Sequence, residues 1–543
     1  GARLYHAHPS DIAFGDRLDR SLWIPPSRPS FGAPSAATKT LIFSDWSMVP
    51  DAIAALLSHE ASRRMGMVPE HVARTARPIG IEEMMPMLYP SPALAELVDP
   101  VALERRFGRA GSYDELHAQA CQALAEQVGA APLSRLEGIS DRLLPIALDA
   151  QLGRDIVWTD VAAVEYDDHD EHEAMARAIE VLQDTLEEHE HYGAACTGTV
   201  VEKLATFALG SPAVCALRAL GRFCPQTDLV EPEMIGAAVA IALGFRSLYN
   251  QPETRALLGE QSPINYWQQI NAHAAMNDLP AVLDEYFHLV TENERTDKLK
   301  VSERLQVIAE KVVEVVALRP AQIMLDHWSA TQRQLSDETF EVRARFAMRF
   351  ANKAEDEKGV RRAALVQAAF KSPFRPFVLA STSIGQEGLD FHPYCARIVH
   401  WNLPRNPVDI EQREGRVHRF KNHAVRRNVA GKFSSAALSE AGTQGPWCAM
   451  FDAASEDEVE HGRPGDIIPF WIYPGENKIE RVVLIPPFSR EKDRYKTLLN
   501  SLATYRLAFG QPRQEELIEL FSDMDKDVVE QLAEVQLSLK PAS

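Results

Sequence analysis

Gln412-Arg413-Glu414-Gly415-Arg416-Val417-His418-Arg419 is the stretch on which the reading of this chain turns. It has the form Q-x-x-G-R-x-x-R, and it follows Pro407, a residue favoured in the first turn of a helix. On a helix over 407–420, residues three apart share a face, so Arg416 and Arg419 would point at one ligand. Two planar guanidinium forks suit the charge that develops on a phosphoryl group in transfer. Gly415 permits close approach of the backbone. Arg413 falls on an unspecified position of the pattern, about 120° around such a helix from Arg419. The plainer reading is a basic surface helix, and the neighbouring sequence decides between the two.

Upstream, Ala380-Ser381-Thr382-Ser383-Ile384-Gly385-Gln386-Glu387-Gly388-Leu389-Asp390-Phe391 reads as a strand that ends in a glycine-containing loop and closes on a carboxylate. Between the two stretches, Ile398-Val399-His400-Trp401-Asn402-Leu403-Pro404 reads as a strand followed by a proline turn. Far upstream, Thr40-Leu41-Ile42-Phe43-Ser44 is a short apolar run suited to a buried parallel strand. Ser47 is placed to cap a helix that carries Pro50 in its first turn and runs toward Arg64. Strand, short loop and helix make half of an α/β unit.

These segments resemble, in order, motifs IV (Leu41–Ser44), V (Ala380–Phe391) and VI (Gln412–Arg419) of superfamily 2 helicases, in their second RecA-like domain. The strand and proline turn at 398–404 is similar to Swi/Snf-like members. The run Arg405–Lys421 resembles large bacterial Swi/Snf-related helicases, some of them from antiviral defence systems. The resemblance implies an α/β fold, a RecA-like parallel sheet flanked by helices, with a large all-α insertion and a mixed α/β C-terminal extension. It implies that Arg416, Arg419 and Gln412 serve ATP hydrolysis. It places Gly388, Asp390 and Gly415 at the nucleotide, with Asp390 near the ribose. It gives Ser44, Thr382 and Ser383 to nucleic-acid phosphate.

No G-x-x-x-x-G-K-[ST] occurs in the chain, so the loop that would cradle the ATP phosphates is expected elsewhere. Asp284-Glu285-Tyr286-Phe287-His288 superficially resembles a Mg²⁺-binding carboxylate motif, but it lies in a helical stretch. ATP and Mg²⁺ are the expected cofactors, the Mg²⁺ held mainly by a first RecA-like lobe, in the same polypeptide or a partner chain. The chain alone is therefore expected not to turn over ATP. Nucleic acid is the other expected partner, DNA favoured over RNA, with no membrane. The competing function is a noncatalytic RecA-like module that docks nucleic acid or protein.

The rest of the 543 residues bounds this reading. A net charge of −20 argues against a generic basic coat, but Arg397–Lys432 carries nine Lys/Arg against three Asp/Glu. Residues 1–38 read as an irregular lead-in, with Pro25, Pro26 and Pro29 against regular structure. The lobe is expected at 39–66 and 336–432. A separable helical insertion is expected at 67–335, where Leu305, Ile308, Val312, Val315 and Val316 mark one helix face. Met175, Ile179, Leu182 and Leu186 do the same, and Met84, Met85 and Met87 are read as packing. In the 433–543 extension, 433–465 is expected to be loop, and Ile467–Tyr473 with Arg481–Ile485 a strand pair. The His- and acid-rich runs 167–173 and 187–191 are read as solvated surface and no metal site is expected. The six scattered cysteines, without C-x-x-C spacing, are expected to be reduced thiols, and the cytoplasm is the expected compartment.

Overall fold

The computed structural model describes residues 3–5, 15–65, 78–161, 199–259, 262–329, 334–350, 357–382, 389–439, 445–461, 467–485 and 489–507. Its strands are β1 (Arg3–Tyr5), β2 (Lys39–Ser44), β3 (Ala321–Ser329), β4 (Gln334–Ala344), β5 (Ala347–Phe350), β6 (Val378–Thr382), β7 (Cys395–His400) and β8 (Glu480–Leu484). The helices that matter below are α1 (Val49–Arg64), α2 (Tyr113–Val128), α3 (Val200–Gly210), α4 (Pro212–Phe223), α5 (Pro232–Tyr249), α6 (Tyr266–Met276) and α7 (Leu279–Asn293). They continue with α8 (Val301–Val316), α9 (Glu357–Phe370), α10 (Pro407–Gly415), α11 (His423–Phe433), α12 (Pro446–Glu460) and α13 (Glu491–Leu507).

Six strands form one sheet in the order β1-β8-β7-β2-β6-β5, and every neighbouring pair is parallel. Helices flank it, and the arrangement is the RecA-like α/β fold. The apolar run at 40–44 lies at its centre. All six residues of β2 are buried, as a parallel strand covered on both faces requires. Leu41 stands opposite Leu379 of β6 on one side and Ile398 of β7 on the other. Lys39 is wholly buried at the start of β2. Its ammonium donates to the carbonyls of Ala369, at 2.9 Å, and Phe374. Burial drives its pKa well down.

Among the described residues of 81–316, the regular elements are helices. α5 packs on α4 and α8, and α4 on α7. Leu305, Ile308, Val312, Val315 and Val316 are the buried face of α8, and Met84, Met85 and Met87 are buried. The second predicted face, 175–186, lies outside the described residues, as do both His- and acid-rich runs. One hydrophobic core runs from these helices into the sheet, joining Leu305 and Ile308 to Leu41 and Leu379. Trp23 helps to stitch it, with its ring against Phe245, His273 and Phe374.

The lead-in is irregular over 24–30 but tightly held. The Ser27 amide and hydroxyl both donate to Glu285, at 2.7 and 2.8 Å, and those of Ser30 donate to Asp278, at 2.6 and 2.8 Å. Glu285 also accepts from Arg426 at 2.9 Å, both side chains being buried. Arg28 pairs with Glu104 at 2.5 Å. The Asp284–Glu285 pair is thus a structural tie on helix α7.

Several expectations change. Met48, not Ser47, precedes α1, without a side-chain cap, although Pro50 is in the first turn. Helical texture yields to the antiparallel β3–β4 hairpin at Ala321, ahead of residue 335. Much of 433–465 is helix α12, because Trp447, Met450, Phe451 and Ala454 fall on one face and bury against Val425 and Val429 of α11. Residues 467–473 form a bend, a turn and irregular chain instead of a strand, and β8 pairs with β7 and β1, inside the main sheet. Cys121, Cys215, Cys224, Cys395 and Cys448 are free thiols. No single described helix is long and apolar enough to cross a membrane.

Candidate functional site

The three motif-like segments meet at the end of the sheet where β2, β6 and β7 finish. Ser44 ends β2 opposite Thr382, the last residue of β6. β7 closes the other side, Phe43 standing opposite His400. α10 then returns over this edge. Asn406 caps it, accepting from the Val408 amide at 3.0 Å, and Pro407 occupies its first turn.

α10 ends at Gly415, earlier than the spacing suggested. Arg416 and Val417 follow in a turn, His418 in a bend and Arg419 in irregular chain, so Arg416 and Arg419 do not share a helix face. The cause is tertiary. Val417 is buried in the main core, and the Arg416 carbonyl accepts from the Phe391 amide at 2.8 Å, which ties the end of motif V to motif VI. Arg416 is 7 % exposed and lies against the Phe43 ring, 5.9 Å from its centroid. Arg419 is half-buried and Gln412 exposed. A side chain at Gly415 would meet nothing within 4 Å, so crowding inside this lobe does not require the glycine.

Arg413 is the most buried of the three arginines, at 2 %. Its guanidinium donates to the Asp45 carboxylate at 2.6 Å and lies 5.5 Å from the Phe43 ring centroid. It also approaches the Asn402 carbonyl and His400 Nδ1, each at 3.4 Å. Burial, with Arg413 beside it, lowers the His400 pKa to about 3, so the ring is neutral and accepts. Asn402 completes the join: its amide nitrogen donates to Asp45 at 2.6 Å and its oxygen accepts from the Asp45 amide at 3.0 Å. Glu414, next along α10, is held by Arg481 of β8 through paired hydrogen bonds, one of 2.6 Å. α10 is thus bolted to the loop after β2 and to β8. Asp45, Asn402 and Arg481 were missed in the sequence. Only the position of Asp45 directly after the apolar strand hinted at it.

The remaining predicted residues divide. Asp390 is placed beside Lys371, at 2.8 Å, and His392, at 3.4 Å. The His392 hydrogen bond and then Lys371 hold its carboxyl far below the usual range. Ser44 is buried, and its hydroxyl engages Asn402 at 3.2 Å and the Trp46 amide at 3.1 Å. The surface just beyond it is apolar: Trp46 is 62 % and Met48 81 % exposed. Thr382 is half-buried at the strand end. Ser383 and Gly388 lie outside the described residues. Among the described residues, no group of three His, Cys, Asp or Glu is placed to hold a metal ion.

Residues 354–421 match the family described as the helicase conserved C-terminal domain, a span that runs from before α9 through motif VI. That match gives this part of the chain a helicase-related role. Among individual proteins, the chain is 30 % identical over 149 residues to the uncharacterized ATP-dependent helicase YqhH of Bacillus subtilis (strain 168). The aligned stretch covers 27 % of this chain and 23 % of that relative, well under two thirds of its length. No solved structure matches the chain.

Proposed function

We propose that this chain is the second motor lobe of an ATP-dependent nucleic-acid helicase or translocase of the Swi/Snf-like kind. ATP would lie between it and a first RecA-like lobe, which would carry the phosphate loop and the Mg²⁺ carboxylate. Arg416 and Arg419 would face the terminal phosphates, with Gln412 beside them. Asp390, Gly388 and Gly415 would border the nucleotide. Thr382, Ser383 and the loop organised by Ser44 would meet nucleic acid, DNA before RNA. The carrying observation is the join at the sheet end: Asp45 to Arg413, and Phe391 to Arg416, link the three motif segments into one unit. Such a join lets a change at the nucleotide be felt at the strand ends.

Arginine fingers act on charge that grows in the transition state, so they lower the barrier more than they strengthen ground-state binding. The test is steady-state ATPase of a protein containing both lobes, with saturating nucleic acid. Arg416→Ala and Arg419→Ala should each reduce kcat by about 10³-fold with ATP affinity little changed. Lysine should rescue poorly, because a point charge cannot reproduce the fork. Wild-type turnover in both alanine variants would remove the reading. Purified residues 1–543 should show no nucleic-acid-stimulated hydrolysis that is lost on mutating Arg416.

A further inference from the structure

A cavity of about 980 Å³ opens where the ends of α5 and α8 meet the β3–β4 hairpin and α9. Four arginines line it, each from a different element: Arg246 from α5, Arg319 from the link after α8, Arg343 from β4 and Arg362 from α9. Asn250 and Gln251 add amide groups to the wall. Among the described residues, the lining contains no carboxylate and no aromatic ring. Among the described residues, Arg343 is paired with Glu253 at 3.0 Å. Close by, Arg345 is 6 % exposed, and its Nη1 has no hydrogen-bond partner. So much positive charge in one hollow stands out on a chain of net charge −20.

We propose that this cavity binds the phosphodiester backbone of nucleic acid, independently of sequence, at a second place on the lobe. Guanidinium forks and amides match phosphate oxygens, and the described lining holds no aromatic ring to select a base by stacking. The place is distinct from the motif arginines. β4 leads into the start of β5, at the edge of the sheet, whereas the motif arginines lie against Phe43, near the finishing end of β2 and two strands away. The idea rests on the reading of the chain as a nucleic-acid motor lobe.

The test is fluorescence anisotropy of the full chain with labelled mixed-sequence DNA and RNA, single- and double-stranded, over a salt series. Arg319 and Arg362 are exposed, so Arg319→Gln and Arg362→Gln leave the core intact. Each should weaken binding of every sequence alike and reduce the slope of log K against log salt by about 0.7–0.9. Arg362→Lys, which keeps the charge, should retain most of that slope. Affinities and slopes unchanged in both glutamine variants, with Thr382→Ala weakening binding, would overturn this inference and leave the lobe reading in place. No binding by the wild-type chain would overturn both. If the variants lost poly-glutamate peptide but kept oligonucleotide, the cavity would belong to an acidic protein partner, and the proposal would fall.

Discussion

Asp45→Asn should be more damaging than Arg413→Met, although both break the same ion pair. The pair is lopsided: the Arg413 side chain is 3 % exposed and that of Asp45 36 %. Neutralising Asp45 strands a guanidinium that has already lost its water, whereas removing Arg413 leaves a carboxylate that can turn to solvent. A hydrogen bond to a charged group is worth about 1.5–3 kcal/mol, and breaking a fully buried pair costs about 3–5 kcal/mol. With one partner half wet, Asp45→Asn should cost about 2 kcal/mol. Methionine fills the volume of the arginine stem, so Arg413→Met should cost about 1 kcal/mol. The assay is native-state hydrogen exchange of peptides covering β2 and α10, which reports local opening. At about 1.4 kcal/mol per tenfold, Asp45→Asn should lower protection about 30-fold. In the double variant most of that loss should vanish, because no charge is left stranded. Strictly additive effects, or Arg413→Met as the worse of the two, would refute the account of this join.

Other outcomes follow from features elsewhere in the fold. Burial raises the Asp149 pKa to about 8, while Oδ1 accepts from Ser91 Oγ and the Ala93 amide, each at 2.9 Å. In the unfolded chain it ionises near pH 4, so between about pH 4 and 8 the folded state holds the extra proton and stability from this group falls as pH rises. Asp149→Asn should remove that slope, and parallel urea midpoints for wild type and variant at pH 5 and 8 would contradict it. A side chain at Gly210 would lie 2.0 Å from the Asn271 carbonyl, so Gly210→Ala should cost about 1–3 kcal/mol or more by separating α3 from α6. Gly431, in α11 with open space around it, should by contrast gain about 0.5–1 kcal/mol as alanine, and equal urea midpoints for the two variants would count against this packing. Glu285→Gln leaves Arg426 buried beside a neutral partner and should cost about 3 kcal/mol, with faster proteolysis at 24–30, and unchanged protection there would dismiss the tie.

What was legible in the sequence was whatever depends on near neighbours. The central strand announced itself because both its faces are covered, and α8 because its apolar steps match one helix face. The order of the motif segments was enough to place β2, β6 and β7 in a RecA-like sheet. What depended on distant contact was hidden. The end of α10 is set by the Phe391 amide and the burial of Val417, so helical spacing alone carried Arg416 and Arg419 onto a shared face they do not have. Arg413 sat on an unspecified motif position, and its partner lies 368 residues earlier. Ser44 was given to nucleic acid by resemblance, whereas its hydroxyl is engaged in shaping its own loop. β8 is an ordinary short strand, and nothing local says that its neighbours are β7 and β1. α12 carries a legible stripe, but the serine, glycine and acid around it masked the period.

The sheet also sets a timetable for synthesis. β2 is made well before either of its neighbours, β6 and β7, whose facing residues come about 340 and 360 residues later. At about 5–20 residues per second, that strand waits on the order of 15 to 70 seconds with its apolar edges unmatched. The helices between them can collapse in the meantime, since their contacts are closer in sequence. Until they arrive the nascent chain exposes Leu41, Ile42 and Phe43, which makes this segment a natural hold for a chaperone and a place for aggregation when elongation stalls.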